Sequence, residues 1–161
     1  MKNIFIILLF LQYTGYSQNI SLDEILFMKS ENLDSVRNLL TKKGWFVFSE
    51  LQPTKNESGI FVFAVKNEWK DKNMDFSTNE SFVEYHFTLK SHVDKINYKT
   101  GSKKNYKNLV KRLRELNYKP ILKKSSETIY SDGKNTVTIE VINNARVKNF
   151  YVITLINKST V

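Results

Sequence analysis

The feature that most constrains the fold of this chain is a helical pattern followed by strand patterns, an order that occurs twice. A helical pattern at residues 32–44 precedes segments of strand composition, and the clearest of these, residues 81–90, alternates apolar and polar side chains. A second helical pattern at residues 103–116 precedes further extended segments. The predicted strands are residues 45–51, 59–66 and 81–90 in the first half, and segments that begin at residues 121, 128, 136 and 150 in the second.

Both principal helices are followed by a residue type that tolerates the left-handed backbone region. Gly44 follows the first helix and Asn117 follows the second, which is where helices commonly end in a left-handed cap. The next residue is aromatic in each case, Trp45 or Tyr118, and we expect both rings to be buried. The matching ends indicate that one unit is repeated along the chain.

The prediction is therefore an α+β fold built from two tandem α-β-β-β repeats, at about residues 20–91 and 103–159, within a single domain that spans residues 18–161. Short connections favour antiparallel pairing, since a parallel crossover needs a dozen residues or more. We expect the helices to pack on one face of the sheet or sheets. Ser21 and Glu24 have the spacing of a capping box and predict a short additional helix.

Residues 1–17 have the composition of a cleaved signal peptide. Lys2 precedes an uninterrupted apolar run at residues 4–11, and the small residues Gly15 and Ser17 stand where signal peptidase reads the chain. The run is shorter than the roughly 20 apolar residues that cross a bilayer. We expect a secreted or periplasmic protein with no transmembrane span in its mature form; a retained anchor or an N-terminal strand is the alternative. Because the chain contains no cysteine, a thiol-anchored lipoprotein is excluded.

The inventory of catalytic and metal-binding motifs is sparse. The absence of cysteine excludes disulfides, zinc–thiolate sites, iron–sulfur clusters and thiol catalysis. No phosphate-binding glycine loop and no nucleophile elbow is present. Glu84 and His86 share the polar face of one predicted strand, but no third ligand accompanies them. We therefore predict no metal, no cofactor and no catalytic residue. One alternative is a hydrolase of envelope polymers whose two catalytic carboxylates are paired in space. Another alternative is a structural cell-surface protein.

The positive charge of the chain is concentrated in its second half. The whole chain has 25 basic and 16 acidic residues, a net charge of +9. Residues 95–124 alone hold eleven basic residues and one acidic residue, Glu115. On the helix in this window, Lys103, Lys107, Lys111 and Arg114 form one stripe beside the apolar face. With Lys104, they are the candidate residues for binding an anion or a partner.

The stripe has a functional interpretation and a structural one. It could bind an acidic protein or an anionic envelope component, or it could be an ordinary solvated helix face. Three tyrosines in the same window, Tyr98, Tyr106 and Tyr118, suggest base stacking. Two of them are expected in the core, and export separates the protein from most nucleic acid, so nucleic acid is not the expected partner.

Two aromatic residues, Trp69 and Phe76, lie in a polar, irregular segment at residues 67–79. An aromatic side chain in such a loop either folds back over the core or is exposed to a ligand or partner. We favour packing over the core, and both residues remain candidate exposed aromatics.

The layout resembles that of small exported bacterial proteins of uncharacterised function. It is also similar to the tandem arrangement of secreted beta-lactamase-inhibitor-type proteins, and the segments that carry the resemblance are residues 32–45, 105–118, 82–91 and 150–159. The resemblance implies two helix-and-sheet repeats that present a concave surface to a partner. The resemblance concerns architecture only. The concentration of positive charge, beside the sparse inventory of catalytic motifs, favours an exported, non-enzymatic binding or interaction module.

Overall fold

The computed structural model describes residues 19–65, 81–144 and 147–156, so the predicted signal peptide and the loop that holds Trp69 and Phe76 lie outside the described residues. Within these ranges, no helix is long and apolar enough to cross a membrane. The helices are α1 (Leu22–Ser30), α2 (Leu33–Lys42) and α3 (Lys103–Glu115). The strands are β1 (Trp45–Leu51), β2 (Gly59–Val65), β3 (Phe82–Phe87), β4 (Val93–Thr100), β5 (Lys119–Lys123), β6 (Glu127–Ser131), β7 (Thr136–Asn144) and β8 (Val147–Ile156).

The fold is α+β, as predicted, with one antiparallel sheet of eight strands in the order β1-β2-β3-β4-β8-β7-β6-β5. Each half of the chain contributes a four-stranded meander. The last strands of the two meanders, β4 and β8, pair with each other at the centre of the sheet. Consequently β1 and β5, the first strands of the two meanders, lie at its two edges.

The prediction of three strands after the first helix is wrong, because it omits β4. Ile96, Tyr98 and Thr100 of this strand are fully buried, and polar residues separate them. Two of these polar residues are Lys95 and Lys99, and no strand was predicted for this segment. Residues 82–91 and 150–159 were compared as the closing segments of the two repeats, whereas the strand that pairs with β8 is β4. Local composition cannot distinguish a central strand from its neighbours.

The helix ends follow the predicted local chemistry. The Ser21 hydroxyl accepts a hydrogen bond from the Glu24 amide at 3.2 Å, and the Glu24 carboxylate accepts one from the Ser21 amide at 2.8 Å, which completes the capping box. Gly44 has φ +83° after α2, and Asn117 has φ +61° after α3. Both predicted left-handed caps are confirmed.

One apolar core lies between the three helices and one face of the sheet. Trp45 and Tyr118 are 2% and 4% exposed, which confirms the expected burial of both rings. The core contains side chains from all three helices and from every strand except β5. The opposite face of the sheet, called the second face below, presents the residues that alternate with the core-facing ones.

Candidate functional site

The five predicted cations all lie exposed on α3. With 3.6 residues per turn, they fall within an arc of about 100° and extend over about 16 Å along the helix axis. The opposite side of α3 is buried in the core through Leu109 and Leu113. This surface is called the basic face below, and its members are Lys103, Lys104, Lys107, Lys111 and Arg114.

Little acidic charge neutralises the basic face. Lys111 Nζ lies 3.7 Å from Glu115 Oε1, one turn further along the helix. Within residues 19–65, 81–144 and 147–156, no carboxylate lies at ion-pair distance from any of the other four cations. The cations without a nearby carboxylate therefore lie at both ends of α3, with Lys103, Lys104 and Lys107 in its first two turns and Arg114 in its last.

The first turn of α3 departs from the usual charge preference of helices. A helix begins at the positive end of its dipole, where acidic side chains are stabilising, and α1 follows this rule with Asp23 and Glu24. The first turn of α3 contains no acidic residue and instead begins with Lys103 and Lys104. Local stability alone does not account for two lysines at this position.

Arg112, which the sequence placed in the same basic window, has a different role. Its Nε lies 2.9 Å from Asp23 Oδ2 in α1, and its Nη1 lies 3.1 Å from Glu115 Oε2. These contacts hold the Arg112 guanidinium charged and raise its pKa. A groove of about 680 Å³ runs between α1 and α3, with Lys104 and Arg112 among its lining residues. Arg112 thus joins the two helices beside the basic face.

The tyrosines of the basic window are not presented to solvent as stacking platforms. Tyr98 is fully buried and Tyr118 is 4% exposed. Tyr106 is half-buried and stacks on Tyr151, with 4.2 Å between ring centroids and 12° between ring planes. These aromatic rings pack inside the protein, so the basic face is a surface of charge alone.

Glu84 and His86 are neighbours on the second face, as their spacing predicted. His86 Nε2 lies 3.7 Å from Glu84 Oε2, which is longer than a hydrogen bond. The carboxylate also accepts from Asn97 Nδ2 at 2.7 Å and from Lys99 Nζ. The imidazole of His86, with Asn97 and Lys99, lowers the pKa of Glu84 to about 2, although burial acts to raise it. Glu84 is therefore a fixed anion within a polar network, and this protonation state does not suit a general acid.

The structure contains no candidate metal site among the residues that it describes. No group of three or more histidine, aspartate or glutamate side chains there could hold a metal ion. On the second face, Glu127 stands directly opposite Glu140, an arrangement of facing acids that the hydrolase alternative would need. Glu127 is held by Lys124 at 3.3 Å, and neither acid lines any of the clefts described in this section.

A larger cleft, of about 1010 Å³, lies at one end of the sheet and was missed by sequence reasoning. The α1–α2 junction, the β1–β2 turn and the β3–β4 turn form it, and these segments are far apart in the chain. Ser58 Oγ donates to Asp94 Oδ2 at 2.8 Å in this cleft, and the lining carries both lysines and acids. No local motif signals a cleft of this kind.

No protein-family model, no curated protein and no solved structure matches the chain. The candidate site is accordingly defined by its own geometry. Among the described surfaces, the basic face combines high exposure with charge that nearby acids leave largely unneutralised.

Proposed function

We propose that this chain is an exported, non-enzymatic binding module that holds an anionic partner, an acidic protein or an anionic envelope component, against the basic face of α3. One observation carries the proposal: five exposed cations share one side of a helix, and only Lys111 has an acid at ion-pair distance among the described residues. A ligand anion would supply the missing counter-charge.

The position of the lysines supports a binding role. Lys103 and Lys104 lie at the positive end of the α3 dipole, which costs helix stability and increases the local positive potential. Residues that depart from local stability rules are typical of functional surfaces. An anion bound there would interact favourably with the lysines and with the helix dipole together.

The chemistry of the basic face indicates the mode of binding. Four of its five members are lysines, whose ammonium groups act as mobile point charges rather than as planar, bidentate donors. Asn108, also exposed, lies beside the basic face, where it lines the groove between α1 and α3, and the tyrosine rings nearby pack against the core. Such a surface attracts extended anionic material over a long range and is sensitive to salt.

The proposal has two further parts, a duplicated architecture and export. Each half of the chain has a helix followed by a four-stranded meander, and equivalent strands occupy equivalent places on the two sides of the β4–β8 pair. Duplication of one unit would produce this arrangement, and the likeness to tandem beta-lactamase-inhibitor-type repeats is consistent with such a duplication. Export rests on the composition of residues 1–17.

Retention on an anionic resin tests the proposal. The variant carries Lys103→Gln, Lys107→Gln, Lys111→Gln and Arg114→Gln, which removes four charges from the basic face. We expect it to elute at clearly lower salt than the parent and to lose partners that are recovered from envelope extracts at low salt.

A matched control distinguishes the effect of the basic face from the effect of net charge alone. Four exposed lysines outside α3 are changed to glutamine in this control, so that the net charge falls by the same amount. If both variants elute together, the basic face has no special role and the proposal fails. The control positions are Lys42, Lys55, Lys90 and Lys134.

A further inference from the structure

The edge strand β5 differs from every other strand of the sheet. All five of its residues are exposed, and it contributes no side chain to the core. β6 is its neighbour on one side, and no described strand pairs with its other side. The helix layer does not bury its residues either, so β5 is open at its edge and on both of its faces.

Apolar side chains are exposed on β5. Ile121 is 64% exposed and Leu122 is 40% exposed. Ile121 is the extra residue at an irregularity of the β5–β6 pair, between Pro120 and Leu122. Natural edge strands are commonly protected from pairing by short length, charge, proline or a bulge, and β5 has all four features. β5 has charge, proline and exposed apolar residues together.

The ends of β5 are basic. Lys119 and Lys123 flank the apolar pair, and no carboxylate lies at ion-pair distance from either within residues 19–65, 81–144 and 147–156. A strand that pairs with the outer edge of β5 would place its own side chains opposite these lysines. Acidic residues at those positions would complement them.

We propose that the outer edge of β5 accepts an extended segment of another protein, with acidic residues on both sides of an apolar centre, as an added antiparallel strand. Main-chain hydrogen bonds would provide much of the affinity, and the flanking charges would provide the selectivity. This surface is separate from the basic face of α3, so the inference goes beyond the proposed function and stands or falls independently of it.

Charge argues against a second copy of the chain as the occupant. The register shift at Ile121 places Lys119 opposite Ser131 and Lys123 opposite Thr128, so the two lysines point to opposite faces of the sheet. β5 contains no acidic residue, so a second copy paired along this edge would bring no counter-charge to either lysine.

Two synthetic peptides with the same Val-Ile centre, one flanked by glutamates and the other by lysines, test the proposal with the full chain. Two central residues place the flanking side chains on opposite faces of the added strand, as Lys119 and Lys123 are on β5. We expect the glutamate peptide to bind and to shift the NMR signals of β5 amides, and the lysine peptide to bind about tenfold more weakly or not at all. Lys119→Glu combined with Lys123→Glu should reverse this preference. Lys42→Glu with Lys134→Glu, which changes the net charge equally, should leave it unchanged.

Three results would overturn the inference: binding of neither peptide, equal binding of both, or amide shifts confined to other strands. In each case the lysines and Pro120 would only protect the edge. The glutamine variant of the basic face should still bind the glutamate peptide, which distinguishes failure of the proposed function from failure of this inference.

Discussion

Asn105, in the first turn of α3, donates a hydrogen bond of 2.7 Å to the hydroxyl of Tyr98 in β4. The same amide donates to the carbonyl of Ile20 at 3.3 Å, and the Ile20 amide donates to the Tyr98 hydroxyl, also at 3.3 Å. The segment that enters α1 therefore meets the end of β4 and the start of α3, 78 and 85 positions further along the chain, at one buried polar cluster. It fixes both the chain that enters α1 and the start of the helix that carries the basic face.

Replacing Asn105 with leucine is expected to lower the free energy of unfolding by about 1–3 kcal/mol, because buried polar groups of Tyr98 and Ile20 lose a partner. Urea denaturation measures this. Tyr98→Phe should have a comparable effect, and the double variant should lose less than the sum, since both changes remove the same bond. Asn108→Leu, on the exposed side of α3, is the control and should stay within about 0.5 kcal/mol of the parent. Strict additivity in the double variant would contradict the shared bond.

Glu84 should make stability depend on acidity. Because the pKa of Glu84 falls from 4.5 to about 2 on folding, its contribution is fully present above about pH 4.5 and is lost as the pH falls towards about 2. We expect Glu84→Gln to remove about 3 kcal/mol of this acid-dependent stability, measured by urea unfolding across that range.

The partners of Glu84 provide the matched test. His86→Gln and Lys99→Gln should each raise the pKa of Glu84, which NMR titration of the side-chain carboxyl follows directly. A titration midpoint near 4.5 in the parent protein would show that the network does not stabilise the carboxylate as described.

The two left-handed caps should respond to substitution according to backbone strain. Gly44 has no neighbour within 4 Å of an added Cβ, so Gly44→Ala should cost about 1 kcal/mol through its φ of +83° alone. Gly44→Asn should cost less, and Asn117→Gly should be neutral or stabilising. Thermal and urea unfolding of the three variants check the order, which would be contradicted if alanine were as stable as asparagine at residue 44.

Gly59, at the start of β2, is sensitive for a different reason. An added Cβ would lie 2.6 Å from Phe87 Cζ and 2.7 Å from Pro53 Cδ. Gly59→Ala should therefore destabilise the fold by about 1–3 kcal/mol through overpacking. Adding Phe87→Leu should relieve part of this loss, so the two substitutions should be less than additive in urea unfolding. A Gly59→Ala variant as stable as the parent would mean that the ring moves away freely.

The features that were predictable from sequence depend on residues close together in the chain. The Ser21–Glu24 capping box, the caps at Gly44 and Asn117, and the separation of cations from apolar residues on α3 all arise within a few residues. Helix chemistry is local at this scale, so the pattern and the structure agree. The antiparallel α+β class followed from the short connections between the strands.

β4 and the polar network around Glu84 could not be predicted from local sequence patterns. Lysines are typical of exposed segments, and only the pairing of β3 with β4 places Lys99 beside Glu84 on the second face. Likewise, nothing in the sequence distinguishes Arg112 from the other basic residues of its window. Its partner Asp23 is 89 positions away and is brought near only by the packing of α1 against α3.

The sequence by itself determined the helices, their ends, most of the strands and the concentration of positive charge on α3, because each depends on periodicity or on contacts within one turn. Only the tertiary structure decided that β4 and β8 meet at the centre, that Glu84 is held as a half-buried anion, and that β5 is left uncovered at the edge. These features depend on pairing between distant segments, and no local pattern encodes which strand becomes the neighbour of which.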